Sequence, residues 1–173
     1  HPMNAEQVRE AVHDMPPLLR ALLVERFARS DLAYHNAHHI AHMLDGLDRW
    51  FAAGLDQRER RILRYAIWLH DAFYDVDATD NERRSADIGL ALLRWPEEEL
   101  SELEACIMAT KGHVAERRLS GLLVDLDLSI LAAERESYRR YALAIRDEYR
   151  RFPDAAYRAG RVRVLGGLAK ARL

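Results

Sequence analysis

The chain predicts an all-α fold, a single-domain helical bundle, on three observations. Ala, Leu, Arg and Glu dominate and β-branched alternation is scarce, so helix formers prevail along most of the chain. Apolar residues recur at helical spacing, as in Leu18, Leu19, Leu22, Leu23 and Phe27. A length of 173 residues fits one domain with its own core, and no linker, repeat or low-complexity stretch divides it.

Taken in order, Asn4 to about Asp14 reads as a short polar helix stopped by Pro16-Pro17. The Leu18–Phe27 stripe is the second helix. A third runs from about Asn36 to Ala53, with Ile40, Met43, Leu44, Leu47 and Trp50 inward and Gly54 as its stop. A fourth spans Asp56 to about Phe73, with Ile62, Tyr65, Ala66 and Leu69 as its core face. The polar segment Asp75–Asp80 is the longest such connection, and its place beside His70-Asp71 marks it as a pocket rim. Helix five spans about Asn81 to Arg94, before Pro96, and helix six Glu97 to Lys111, before Gly112. Helix seven is the apolar Leu122–Leu131 run, helix eight Glu134 to Arg151, and a last helix starts at Asp154. His1 and Pro2 precede Met3, which reads as the natural start, so these two read as a non-native addition.

Lys plus Arg number 26 and Asp plus Glu 28, a formal charge of −2. That balance provides no global drive toward a nucleic-acid duplex or an anionic membrane. Cys106 is the one cysteine, which excludes an intrachain disulfide and a multi-thiolate zinc site and fits a reducing, cytoplasmic setting. No apolar run reaches the ~20 residues that span a bilayer, and no signal peptide is visible.

Three stretches carry chemistry: Tyr34-His35-Asn36-Ala37-His38-His39, then Leu69-His70-Asp71, then Asp125 and Asp127 within an apolar run. Imidazole and carboxylate suit Zn, Mn, Fe, Co or Ni, while Mg prefers more oxygen. Neighbouring residues on a helix point about 100° apart, so His70 and Asp71 share one ion only at a helix end or in a crevice. His35 and His39, four apart, fall on one helical face, where one could bind metal and the other face substrate. An ionised aspartate in so apolar a run as Leu123–Leu131 is costly to bury alone, and a metal is one good partner. Asp125 and Asp127 point nearly opposite ways, so one is the ligand while the other takes hydrogen bonds or an arginine. Bland readings stand beside these: His38 and His42 as surface or packing residues, Lys111 as a cation at a helix C-terminus, Glu82 and Ser85 as helix-start residues. Tyr34, Trp68 and Tyr74 read as core or pocket wall, and the C-terminal arginines as a solvated face.

On these residues the chain resembles the HD superfamily of metal-dependent phosphohydrolases, whose pattern is His, His-Asp and a distant Asp on an all-helical core. It is most similar to small bacterial HD-domain proteins of uncharacterised function, through Tyr34–Ile40, Trp68–Asp75, Asn81–Ala86 and Val124–Leu131, in a resemblance covering about residues 30–165. A more distant similarity is to the catalytic domain of cyclic-nucleotide phosphodiesterases, with its Tyr-His-Asn-x-x-x-His pattern. The resemblance implies an HD-type bundle with His35 as general acid and His39, His70, Asp71 and Asp127 as metal ligands. Asp127 is preferred to Asp125 because the family's Asp-Leu-Ser matches Asp127-Leu128-Ser129, and Asp71 would bridge a second metal. Two-metal members carry two more histidines before the last aspartate; here only His113 lies there, which fits a single ion or a second held by water and Asp71.

The implied activity is hydrolysis of a phosphate mono- or diester in a small phosphorylated or nucleotide-like molecule. A divalent ion (Mn, Mg, Zn, Fe, Co or Ni) would activate water and neutralise phosphoryl charge. Lys111 and His113 are expected at phosphate oxygens, and Asp75, Glu82 and Asp125 as residues orienting water or ligands. The rivals are a non-catalytic metal-containing sensor, a di-iron HD-type oxygenase, which needs more histidines, and a purely structural bundle. Trp50, Phe51 or the C-terminal helix could form a homo-oligomer interface.

Overall fold

The computed structural model describes residues 3–28 and 32–170, and His1, Pro2 and Arg172 lie outside them. Every regular element among the described residues is helical: α1 (Ala5–Ala11), α2 (Pro17–Ala28), α3 (Ala37–Gly46), α4 (Gln57–Leu69), α5 (Asn81–Leu92), α6 (Glu97–Ala109), α7 (Arg118–Leu128), α8 (Arg135–Glu148) and α9 (Asp154–Lys170). The expected all-helical bundle is what forms.

The bundle is built around α4, which packs against α3, α5, α6 and α7. Its start is set by a reciprocal pair of caps: Asp56 Oδ1 accepts from the Glu59 N–H at 2.8 Å and Glu59 Oε2 from the Asp56 N–H at 3.1 Å. Its second half, Tyr65 to Leu69, is buried all round, as a helix must be when neighbours cover every face. Trp68 is fully buried and meets Phe27 of α2 edge-on at 5.6 Å. Gly89 of α5 allows close approach to α4 and α6, since a Cβ there would stand 3.0 Å from Leu69 Cδ1 and 3.2 Å from Leu103 Cδ2.

Several boundaries differ from the sequence reading. The third helix keeps α geometry only to Gly46, then continues as a π turn (Leu47–Phe51) and a 3-10 turn (Ala52–Gly54). The wider turn carries Trp50 off the face that Leu47 keeps, so Trp50 is 52% exposed rather than inward. Gly54 ends this run, the stop expected of it. Leu18 sits one step round from the buried Leu19, Leu23 and Phe27 and faces solvent. Helix seven starts at Arg118 and ends at Leu128, and a 3-10 turn (Ser129–Ala132) follows. The fourth helix stops at Leu69, just before the His-Asp pair.

Candidate metal centre

Three of the expected ligands come from three helix ends. Asn36 caps α3, its Oδ1 accepting from the His38 N–H at 2.9 Å while its Nδ2 donates to the carbonyls of Leu32 and Ala33, each at 3.0 Å. This leaves His35 in the loop before the helix and His39 in its first turn, not on one helical face as expected; their rings are still neighbours, with centroids 6.1 Å apart. His70 caps the C-terminal end of α4. The chain after it is clamped by the buried Ser85 of α5, whose Oγ accepts from the Phe73 N–H at 3.0 Å and donates to the Phe73 carbonyl at 3.1 Å. Asp127 lies in the last turn of α7.

Ligand atoms of His39, His70 and Asp127 lie within 4.8 Å of one another. His39 Nε2 stands 3.3 Å from His70 Nε2 and 3.1 Å from Asp127 Oδ1. Asp71 Oδ2 adds an oxygen 3.1 Å from His70 Nε2 and 3.8 Å from His39 Nε2. Asp125, two residues from Asp127, is exposed, so the choice between them falls to Asp127.

The donor set fits a cation. His70 Nδ1 lies 2.8 Å from the Ile67 carbonyl, which only accepts, so Nδ1 carries the proton and Nε2 of the neutral ring presents a lone pair. That lone pair faces the buried Asp71 Oδ2, which receives no hydrogen bond among the described residues. Lone pairs converging in a buried space repel unless a proton or a metal ion sits among them. A proton is one solution: burial pulls the His70 ring down, but Asp71 and Asp127 outweigh it and push it up to about 9. Burial likewise opposes ionisation of Asp71, yet His70 and the other rings hold its carboxyl far below the usual range. Asp127 is held down by hydrogen bonds from His113 and His39 against the same burial.

The remaining expected site residues separate into two groups. His113 lies against the centre: its Nε2 is 3.1 Å from Asp127 Oδ2, so it orients the carboxylate from the side away from His39. It does so from a left-handed backbone conformation, φ 54°, which is unusual for a residue with a side chain and aims its ring inward. Among the described residues, Lys111, Asp75, Glu82 and Asp125 neither join the His39–His70–Asp127 group nor line the cavity. The Lys111 ammonium donates to the Thr79 carbonyl at 2.8 Å, so it ties down the loop rather than meeting a phosphate. Asp75 turns the same loop, accepting from the Asp77 N–H at 2.9 Å and donating its own N–H to Asn81 at 3.1 Å. Glu82 sits in the first turn of α5, where the helix dipole accounts for it.

Glu148, at the end of α8, is the residue that sequence reasoning missed. Its buried carboxylate accepts from the N–H groups of Tyr34 at 2.6 Å and His35 at 2.7 Å, and stands 2.6 Å from His35 Nδ1. Burial opposes its ionisation, but these donors hold its carboxyl below the ordinary value. His35 is further fixed by stacking on Tyr74, with centroids 3.9 Å apart. Its Nε2 has no hydrogen-bond partner among the described residues. The available signal was spacing: Tyr141, Ile145, Glu148 and Tyr149 form one stripe of α8, an acid among pocket-facing residues.

His35, His113 and Asp127 open onto a cavity of ≈ 490 Å³ whose other walls come from Tyr34, Tyr74 and the facing sides of α8 and α9. Burial pushes the Tyr34 and Tyr74 phenols far up, so both stay neutral. Among the described residues no helix is long and apolar enough to cross a membrane. No protein-family model, curated protein or solved structure matches this chain.

Proposed function

We propose that this chain is a metal-dependent phosphoester hydrolase of the HD type, acting on a small phosphorylated molecule. The observation that supports it best is the convergence of His39, His70 and Asp127, with Asp71 Oδ2 3.1 Å from His70 Nε2, beside the cavity that His35 lines. These four residues would hold the ion. A divalent cation there supplies a Lewis acid that activates water and offsets phosphoryl charge.

The protein's own groups account for the rest. Glu148 fixes the His35 ring through Nδ1, leaving Nε2 to face a leaving oxygen in the cavity and hand it a proton. The ester oxygen departs as an alcohol once it takes that proton. His113 holds Asp127 in place, and the Ser85 clamp holds the turn that follows Asp71.

The test is elemental analysis of the purified protein beside Asp71→Ala, with both assayed on p-nitrophenyl and nucleotide phosphates with added Mn, Mg, Co and Ni. Near-stoichiometric metal and hydrolysis, lost together in the variant, support the proposal. Metal binding without turnover of any ester favours a sensor instead. Absence of metal in both samples after loading rules the centre out.

A further inference from the structure

The cavity is unusual in what covers it. On α9, Tyr157, Arg161, Val164, Leu165 and Leu168 all line it. Their spacing of 4, 3, 1 and 3 residues puts them on one face of the helix. Yet α9 contributes no buried residue to the core. Its apolar face therefore covers the cavity rather than the bundle. Across from it α8 presents Tyr141, Ile145 and Tyr149 at four-residue steps, and the 3-10 turn after α7 adds Ile130 and Leu131.

Some of the polar groups in these walls are already engaged, while Arg163 brings a guanidinium to the lining. The Tyr74 and Tyr149 hydroxyls lie 3.3 Å apart and pair with each other. Arg161 donates to the Tyr141 hydroxyl at 3.0 Å and lies over the same ring. What remains for a ligand is mostly ring edges and aliphatic carbon, with a polar pole at His35, His113 and Asp127 and the Arg163 guanidinium on the α9 side. A nucleobase and ribose would leave their donors and acceptors unpaired against such walls, at the full cost of desolvation. An apolar group gains from the same burial.

Charge adds the other half. Residues 135–170 hold 10 Lys and Arg against 4 Asp and Glu, a formal +6, whereas residues 1–134 hold 15 against 24, a formal −9. The two C-terminal helices and the turn between them thus give the cavity mouth a positive field that draws anions in.

Resting on the phosphohydrolase reading above, we propose that the substrate is an amphiphile: the phosphate monoester of an apolar alcohol, with its phosphate at the metal pole and its hydrocarbon between α8 and α9. Nucleotides are poor ligands for this site.

The experiment is calorimetric titration of the Mn-loaded protein with methyl-, butyl- and octylphosphonate, none of which can be hydrolysed, and with an adenosine phosphonate. The expected result is a Kd falling roughly fourfold per methylene, with octylphosphonate far tighter than the adenosine compound. Leu165→Asp, on a helix outside the core and checked for helix content by circular dichroism, should flatten that dependence. An affinity independent of chain length, or the adenosine phosphonate binding tightest, would overturn the proposal while leaving the phosphoester reading intact. If n-alkanols bound with that chain-length dependence and no phosphonate bound at all, the phosphoester reading itself would fall, and this proposal with it.

Discussion

Glu148 and His35 are 113 residues apart in the chain and 2.6 Å apart in the fold, with the same carboxylate also holding the N–H groups of Tyr34 and His35. One buried acid thus fixes both the ring and the backbone of the candidate general acid. Two substitutions separate these jobs. Glu148→Gln keeps an oxygen for the backbone N–H groups but replaces the carboxylate oxygen beside His35 Nδ1 with an amide. It should lower kcat at least tenfold with KM little changed. Glu148→Ala also strands two backbone donors and should cost about 1–3 kcal/mol of stability by urea unfolding. A Gln variant with wild-type kcat would refute the positioning role.

His39→Ala, His70→Ala and Asp127→Ala should each abolish stoichiometric metal, while Asp125→Asn and His38→Ala should leave it unchanged, because both of those residues are exposed. His113→Ala removes a partner of a ligand rather than a ligand, and should weaken metal binding about 10- to 100-fold. Elemental analysis and competition with a chelating dye distinguish the three classes.

Metal affinity should rise with pH. The folded His70 value, about 9, lies above the ordinary 6.5. In the metal-free protein its contribution to stability is therefore full below about pH 6.5 and is lost as pH rises through about 9. Asp71 and Asp127 are shifted the other way, so theirs holds above the usual carboxylate range and is lost on acidification. A metal needs the Nε2 lone pair and must displace the proton, so affinity should climb between these two pH values. Calorimetry in MOPS and Tris at pH 7.5, buffers of different ionisation enthalpy, should register release of about one proton. Equal apparent enthalpies in the two buffers would contradict this.

Gly89→Val should destabilise the bundle by about 1–3 kcal/mol, because new atoms enter a space already closed by Leu69 and Leu103. Leu69 precedes His70, so metal affinity should fall as well. A drop in the urea midpoint without a change in slope is the expected signature.

Cys106 is fully buried, and burial, with Glu102 adding to it, pushes its thiol up to about 12. It should not react with a disulfide reagent in the native state and should react stoichiometrically in guanidinium. Rapid native labelling would show that α6 opens readily.

Helix content was legible from composition and periodicity because those properties belong to short windows of chain. The metal-type residues were legible as types, because His70-Asp71 and an aspartate in an apolar run are chemically conspicuous. Asp125 and Asp127 could not be separated by the residues around them, since both lie in the same run; only the packing of α7 exposes one and turns the other toward His39. Lys111 looked like a phosphate contact, but the fold sets its ammonium against the Thr79 carbonyl. Glu148 shares a stripe of α8 with Tyr141, Ile145 and Tyr149, but that spacing does not say what the stripe faces. Its role exists only because α8 folds back over the loop before α3. Local chemistry thus determined the helices and the kinds of ligand, whereas long-range packing decided which side chains share a site, because burial and mutual distance are not properties of any one segment.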